Sequence, residues 1–195
     1  MVVAGWTSAS SYKNVAVVRY TAEGELDTSF DGNGRLATDL GANSRGLSVS
    51  IQRGVLSSRI VVAGYRGSAA FFGRHGTVVD ATPAESDMVI LRYQPDGSLD
   101  DTFGGDGIVY PDFGNGVQSV AQSVLIQGTV LSPSILVAGF TGVQEPGPGA
   151  DLEVAVARVI PWPTQGLALM PIAMASPMES STFSLPTHEP LLPIH

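Results

Sequence analysis

The sequence predicts an all-β fold made of repeated short antiparallel strands, and three observations carry that prediction. The chain repeats itself: Val2-Val3-Ala4-Gly5 returns as Val61-Val62-Ala63-Gly64 and as Leu136-Val137-Ala138-Gly139, each followed by an aromatic, Trp6, Tyr65 or Phe140. Within each copy apolar residues alternate with period two and β-branched residues dominate, the pattern of strands rather than helices. Finally, 23 glycines among 195 residues, with only 7% aromatics, favour many tight turns over long helices.

Composition sets the bounds. A hydrophobic fraction of 44% against 14% charged supplies enough apolar surface for a core, and the length fits one domain or slightly more. The net charge of −8, with Lys13 the sole lysine, repels phosphate, so neither nucleic acid nor an anionic membrane surface is expected as a partner. The absence of cysteine excludes disulfides, thiolate nucleophiles and cysteine zinc sites. No stretch reaches the roughly 18 uninterrupted apolar residues of a spanning helix. The nearest, 166–178, is broken by Pro171 and Pro177, so a soluble chain without membrane insertion is expected. Residues 1–5 lack the basic start and long apolar run of a secretory signal peptide and open inside a strand pattern.

The elements follow in order. After the strand around the first VAG string, VAVVRY (15–20) is matched by MVILRY (88–93) and VAVAR (154–158). Its alternation puts Val15, Val17 and Arg19 on one face and Ala16, Val18 and Tyr20 on the other, so cover on both sides is expected. Residues 21–41 then align with 94–114 without a gap at an offset of 73. The turn Pro95-Asp96-Gly97 presets φ with proline and accepts positive φ at glycine; Ala22-Glu23-Gly24 keeps only the glycine. The loop beyond it repeats Leu26/Leu99, Asp27/Asp100, Phe30/Phe103, Gly32/Gly105 and Gly34/Gly107, with the aspartate capping backbone N–H groups and Leu and Phe turned inward. Strands are expected at 35–40, 47–52 and 60–65, with equivalents at 108–113, 122–127 and 135–140. Four strands per unit, stacked through apolar faces, describe a β-propeller blade. About two and a half blades is fewer than the roughly four to eight of a closed ring. Apolar edges are therefore left for further blades of a longer chain or for a homo-oligomer.

The string ILRYQPDGSLDDTFGGDG (90–107), with the return to ILVAGF (135–140), resembles the delta-60 repeat, a bacterial family of β-propeller-type repeats common in large secreted or surface proteins. The resemblance covers residues 1–160, with an insertion at 66–87, and implies partial-propeller blades and an extracellular or cell-surface location. The family carries no established catalytic residues to transfer. The first copy departs from the motif at Thr21-Ala22-Glu23 and at Asp31, and the unit here is longer than the family's. Residues 161–195 are of another kind, holding 7 of the 13 prolines and only Glu179 and Glu189 as charges, and are expected to form a Pro-rich, irregular tail. A sharper reading is a fragment boundary or shifted reading frame, because the pattern breaks in mid-strand.

These features point to a non-enzymatic structural or binding module that contacts a protein or glycan through its loops. The rival is a hydrolase or lyase with its site over a propeller channel, which needs nonrepeating polar residues converging from several blades. His75, His188 and His195 show no ligand spacing. Arg19, Arg92 and Arg158 recur at strand ends and would form an anion-binding ring, but pairing with Asp27 and Asp100 is the preferred reading. Asp31-Gly32-Asn33-Gly34 and Gly104-Gly105-Asp106-Gly107 are calcium-loop-like yet poor in carboxylates, so turn geometry is preferred and no cofactor is expected. Asp39, Asp112, Asp100 and Asp101 would supply carboxylate pairs for glycoside hydrolysis, but each recurs with, or lies beside, a repeated loop position. No catalytic, cofactor-binding or metal-ligating residue is assigned. The insertion, with Phe71, Phe72, Arg74 and His75, is the part least explained by the repeat and is the candidate binding loop.

Overall fold

A computed structural model describes residues 1–8, 12–67, 86–114, 118–143, 151–160 and 168–175. They contain eleven strands: β1 (Val2–Thr7), β2 (Asn14–Arg19), β3 (Arg35–Thr38), β4 (Ser44–Gln52), β5 (Arg59–Gly67), β6 (Ser86–Tyr93), β7 (Ile108–Val109), β8 (Gln118–Thr129), β9 (Ser132–Val143), β10 (Asp151–Ile160) and β11 (Ala168–Ala175). The fold is all-β. Three antiparallel sheets form, ordered β1-β2-β3, β4-β5-β6-β7 and β8-β9-β10-β11. Among the described residues no helix is long and apolar enough to cross a membrane.

The sheets stack in chain order. One buried cluster joins Val15, Val17 and Phe30 of the first sheet's segment to Ile60, Val62, Val89, Leu91 and Tyr93 of the second. The other joins Val61, Ala63, Met88 and Ile90 to Ile135, Val137, Ala155 and Val159 of the third. Odd and even positions of β5 and β6 thus enter different cores, which is what period-two alternation with both faces apolar produces in a middle layer. Each fully buried Val, Leu, Ile or Met side chain among them stabilises the stack by about 1.5–3 kcal/mol.

Three sequence expectations are corrected. The repeat and the sheet are out of phase: β2 and β3 close the first sheet, whereas β4 and β5 of the same sequence copy open the second. The Asp39–Gly41 turn, with the Gly41 N–H donating to Asp39 Oδ1 at 2.8 Å, separates β3 from β4, and β4 then packs across β1 and β2 instead of pairing with β3. The two-sided cover expected of VAVVRY holds for its equivalent β6, but in β2 only Val15 and Val17 are fully buried while Ala16 and Val18 are half-buried. The segment expected to be irregular contributes β11, which pairs with β10 as an edge strand. Its proline fits because Pro171 lies beside the register shift at Val156/Ala157, and edge strands at bulges tolerate a missing N–H. The rest of 161–195 lies outside the described residues.

The VAG glycine has a packing reason. A Cβ on Gly64 would stand 1.8 Å from the Arg45 carbonyl oxygen, and one on Gly139 1.9 Å from that of Val120. These are the bulges where β4 and β8 shift register, at Gly46/Ser48 and Ala121/Ser123. Gly5 has nothing within 4 Å, because β1 is itself the edge of its sheet.

Candidate functional site

The recurring polar residues meet in two loops, each following an Arg-Tyr pair at the end of its strand: Arg19 closes β2 with Tyr20 just after it, and Arg92-Tyr93 close β6. In both, the arginine carbonyl accepts from the aspartate N–H (Asp27 at 3.0 Å, Asp100 at 2.9 Å) and the aspartate carbonyl accepts from the phenylalanine N–H (Phe30 at 3.0 Å, Phe103 at 2.9 Å). The loop closes when the last glycine N–H, of Gly34 or Gly107, donates to the phenylalanine carbonyl at 2.7 Å. That glycine is obligatory: its φ is +80° or +86°, and a Cβ on Gly107 would lie 2.8 Å from Leu99 Cβ.

In the first loop Arg19 Nε donates to Asp27 Oδ2 at 2.8 Å, Nη2 to Ser29 Oγ at 2.6 Å, and the guanidinium lies 4.9 Å from the Phe30 ring centroid. Arg19 Nη1 also donates to the Pro95 carbonyl, and the Asp31 N–H to that of Asp96 at 2.7 Å, so this loop rests on the turn of the next copy. Asp27 Oδ1 accepts from the Ser29 hydroxyl at 2.6 Å; that bond and the Arg19 guanidinium hold its carboxyl below the usual range.

The second loop repeats the plan in a buried setting. Asp100 is 1% exposed and carries two arginines: Arg59 Nε donates to Oδ2 at 2.8 Å, and Arg92 Nε lies 2.9 Å from the same oxygen as a close ion contact without hydrogen-bond alignment. Arg92 Nη2 donates to Thr102 Oγ1 at 2.9 Å, and its guanidinium sits 4.7 Å from the Phe103 centroid. Burial pushes the Asp100 carboxyl up, but the Thr102 hydroxyl and the two guanidinium groups outweigh it and bring it below the usual range. Burial lowers Arg92, against the opposing pull of Asp100.

The preferred arginine pairing is therefore what the structure shows at Arg19 and Arg92. Arg158 instead donates through Nη2 to Ser134 Oγ at 3.0 Å. The two calcium-like segments are turns: φ is positive at Asp31, Gly32 and Gly34 and at Gly104, Gly105 and Gly107, while Asn33 and Asp106 each accept the N–H two residues on. Asp39 and Asp112 do the same for Gly41 and Gly114. Among the described residues no group of three His, Asp or Glu side chains is placed to hold a metal ion. Phe71, Phe72, Arg74 and His75, like His188 and His195, lie outside the described residues.

Sequence reasoning missed a cleft. Between the β4–β5 hairpin (53–58), the second loop and Val130 of the β8–β9 turn lies an open depression of about 380 Å³. Its lining includes Arg53, Arg59, Arg92 and Asp100, three cations to one carboxylate on a chain of net charge −8, and its rim carries the exposed Val55 and Leu56. Gln52 lines it too, 7% exposed, with its buried Oε1 unpartnered. The available signal was the shared Ile51-Gln52/Ile126-Gln127 pair, which aligns this hairpin with 128–133; Arg59 has Ser134 as its counterpart, so no repeat flagged it.

The all-β architecture, the stacked antiparallel sheets and the repeated loop give the chain β-propeller character. A family model described as a domain of unknown function (DUF5122) beta-propeller matches residues 1–30 and 84–103. At the offset of 73 the second stretch is the counterpart of 11–30, so the model falls on the same strand and loop in successive copies. No curated protein and no solved structure matches the chain.

Proposed function

We propose that the three sheets are consecutive blades of a β-propeller of the delta-60 type, displayed outside the cell, and that the chain is a non-enzymatic structural and binding module. The observation that supports this reading is the use made of the repeated polar residues. Arg19, Asp27, Arg92, Asp100, Asp39 and Asp112 are each engaged in ties within their own loop or turn, so repetition serves architecture. The cleft lined by Arg53 and Arg59, at the loop end of the stack, offers donors to an anionic group of a protein or glycan. Binding the chain to an array of neutral, sialylated and uronic-acid glycans and acidic peptides tests this. The expected result is selective retention of anionic probes that Arg53→Glu abolishes, with no turnover of chromogenic glycosides or esters. Turnover that co-purifies with the chain would replace this reading with the hydrolase. Arg53 is exposed and outside both loop networks, so its substitution leaves the fold intact.

A further inference from the structure

We propose that the two ends of the stack are complementary, so that copies of this chain associate head to tail, the outer face of the third sheet of one copy seating on the outer face of the first sheet of the next. The proposal rests on the propeller reading and adds the partner: a second copy of this chain.

The repeat allows each end face to be matched with an internal face that is already covered. On the third sheet Val154, Val156 and Arg158 lie opposite Phe140, Ala138 and Leu136. In the second sheet the same register places Met88, Ile90 and Arg92 opposite Tyr65, Ala63 and Val61. There the face is sealed by the third sheet and Met88 is 0% exposed; its counterpart Val154 is 52% exposed. The other end behaves likewise. Val3 lies opposite Val18, and Gly5 opposite Ala16, on the outer face of the first sheet. Their counterparts are Val62 opposite Leu91 and Gly64 opposite Val89, the face of the second sheet that receives the first. Val62 is 0% exposed, Val3 46%.

One end is thus shaped like the surface that accepts a following sheet, and the other like the surface that accepts a preceding one. Two different patches meet in such a contact, which makes it heterologous; it closes into a ring or extends according to the rotation per copy. An isologous pairing of either end with itself would set two like faces together, an arrangement found nowhere in the internal stack.

Sedimentation velocity over a concentration series tests this with two variants, Val154→Asp at one end and Val3→Asp at the other. Both alter exposed positions, and far-UV circular dichroism checks that the β signal is kept; Ala138→Glu serves as a second probe if Val154→Asp loses it. The wild type is expected to exceed 20.3 kDa with mass rising on concentration. Each variant alone should sediment as a monomer, because every contact needs one face of each kind. Mixing the two should restore a species of twice the monomer mass, since each supplies the face the other lacks. A folded wild type that stays monomeric, a variant that still self-associates, or a mixture that stays monomeric overturns the proposal. Loss of the β signal in the wild type would instead remove the propeller reading on which it rests.

Discussion

The first and second copies of the repeat carry one signature in two surroundings. In the first, Asp27 is 27% exposed and holds one arginine; in the second, Asp100 is 1% exposed and holds two. Backbone hydrogen bonds within the two loops agree to about a tenth of an ångström, so the residue types determine the loop's shape. What they do not determine is its energetic weight, which comes from the layers around it. The second copy lies between two sheets, whereas the first has a sheet on one side only.

The sharpest contrast is expected from removing the carboxylate charge. Asp100→Asn leaves Arg92, 7% exposed, without its counter-ion, and breaking a buried pair in this way costs about 3–5 kcal/mol. Arg59 is 28% exposed and turns to water, which keeps the effect toward the lower end. Asp27→Asn should barely shift the urea midpoint, because Arg19 keeps Ser29, the Pro95 carbonyl and the Phe30 ring. Equal losses in the two variants, measured by urea denaturation, would mean that burial does not separate the copies.

A smaller contrast lies at the VAG glycines. Gly64→Ala forces a methyl group onto the Arg45 carbonyl and should cost about 3 kcal/mol, the upper part of the overpacking range. Gly5→Ala meets open space and should change stability by no more than about 0.5 kcal/mol. A Gly5→Ala loss as large as that of Gly64→Ala would show that β1 is pressed by another strand in solution.

Much of this was legible in the residues, and the limits are physical. Alternation in VAVVRY and MVILRY identified strands, and the Arg–Asp recurrence identified the loop ties, because each is a local relation repeated in sequence. The phase of sheets against repeats was not legible: a period can be cut anywhere, and only the turn at Asp39–Gly41 decides where pairing stops. Arg59 meets Asp100 across 41 residues and has Ser134 as its counterpart, so neither spacing nor repetition marked it. Proline content concealed β11, because an edge strand at a bulge accepts what an interior strand would reject.

The smallest effect is the one acid reveals. Asp100 titrates below its ordinary range in the folded chain, while the unfolded carboxyl sits near the usual aspartate value of about 3.9. The folded state therefore favours the charged form, and the stabilisation is complete above about pH 5 and lost as the pH falls below about 4 and through the folded value. Asp27 is shifted in the same direction, through Ser29 and Arg19, but in an exposed loop. Urea midpoints measured from pH 7 down to 3 should fall for the wild type, with a flatter acid limb for Asp100→Asn than for Asp27→Asn. A flatter limb for Asp27→Asn would place the acid-sensitive tie in the copy covered on one side, and burial between two sheets would no longer explain which aspartate the fold depends on.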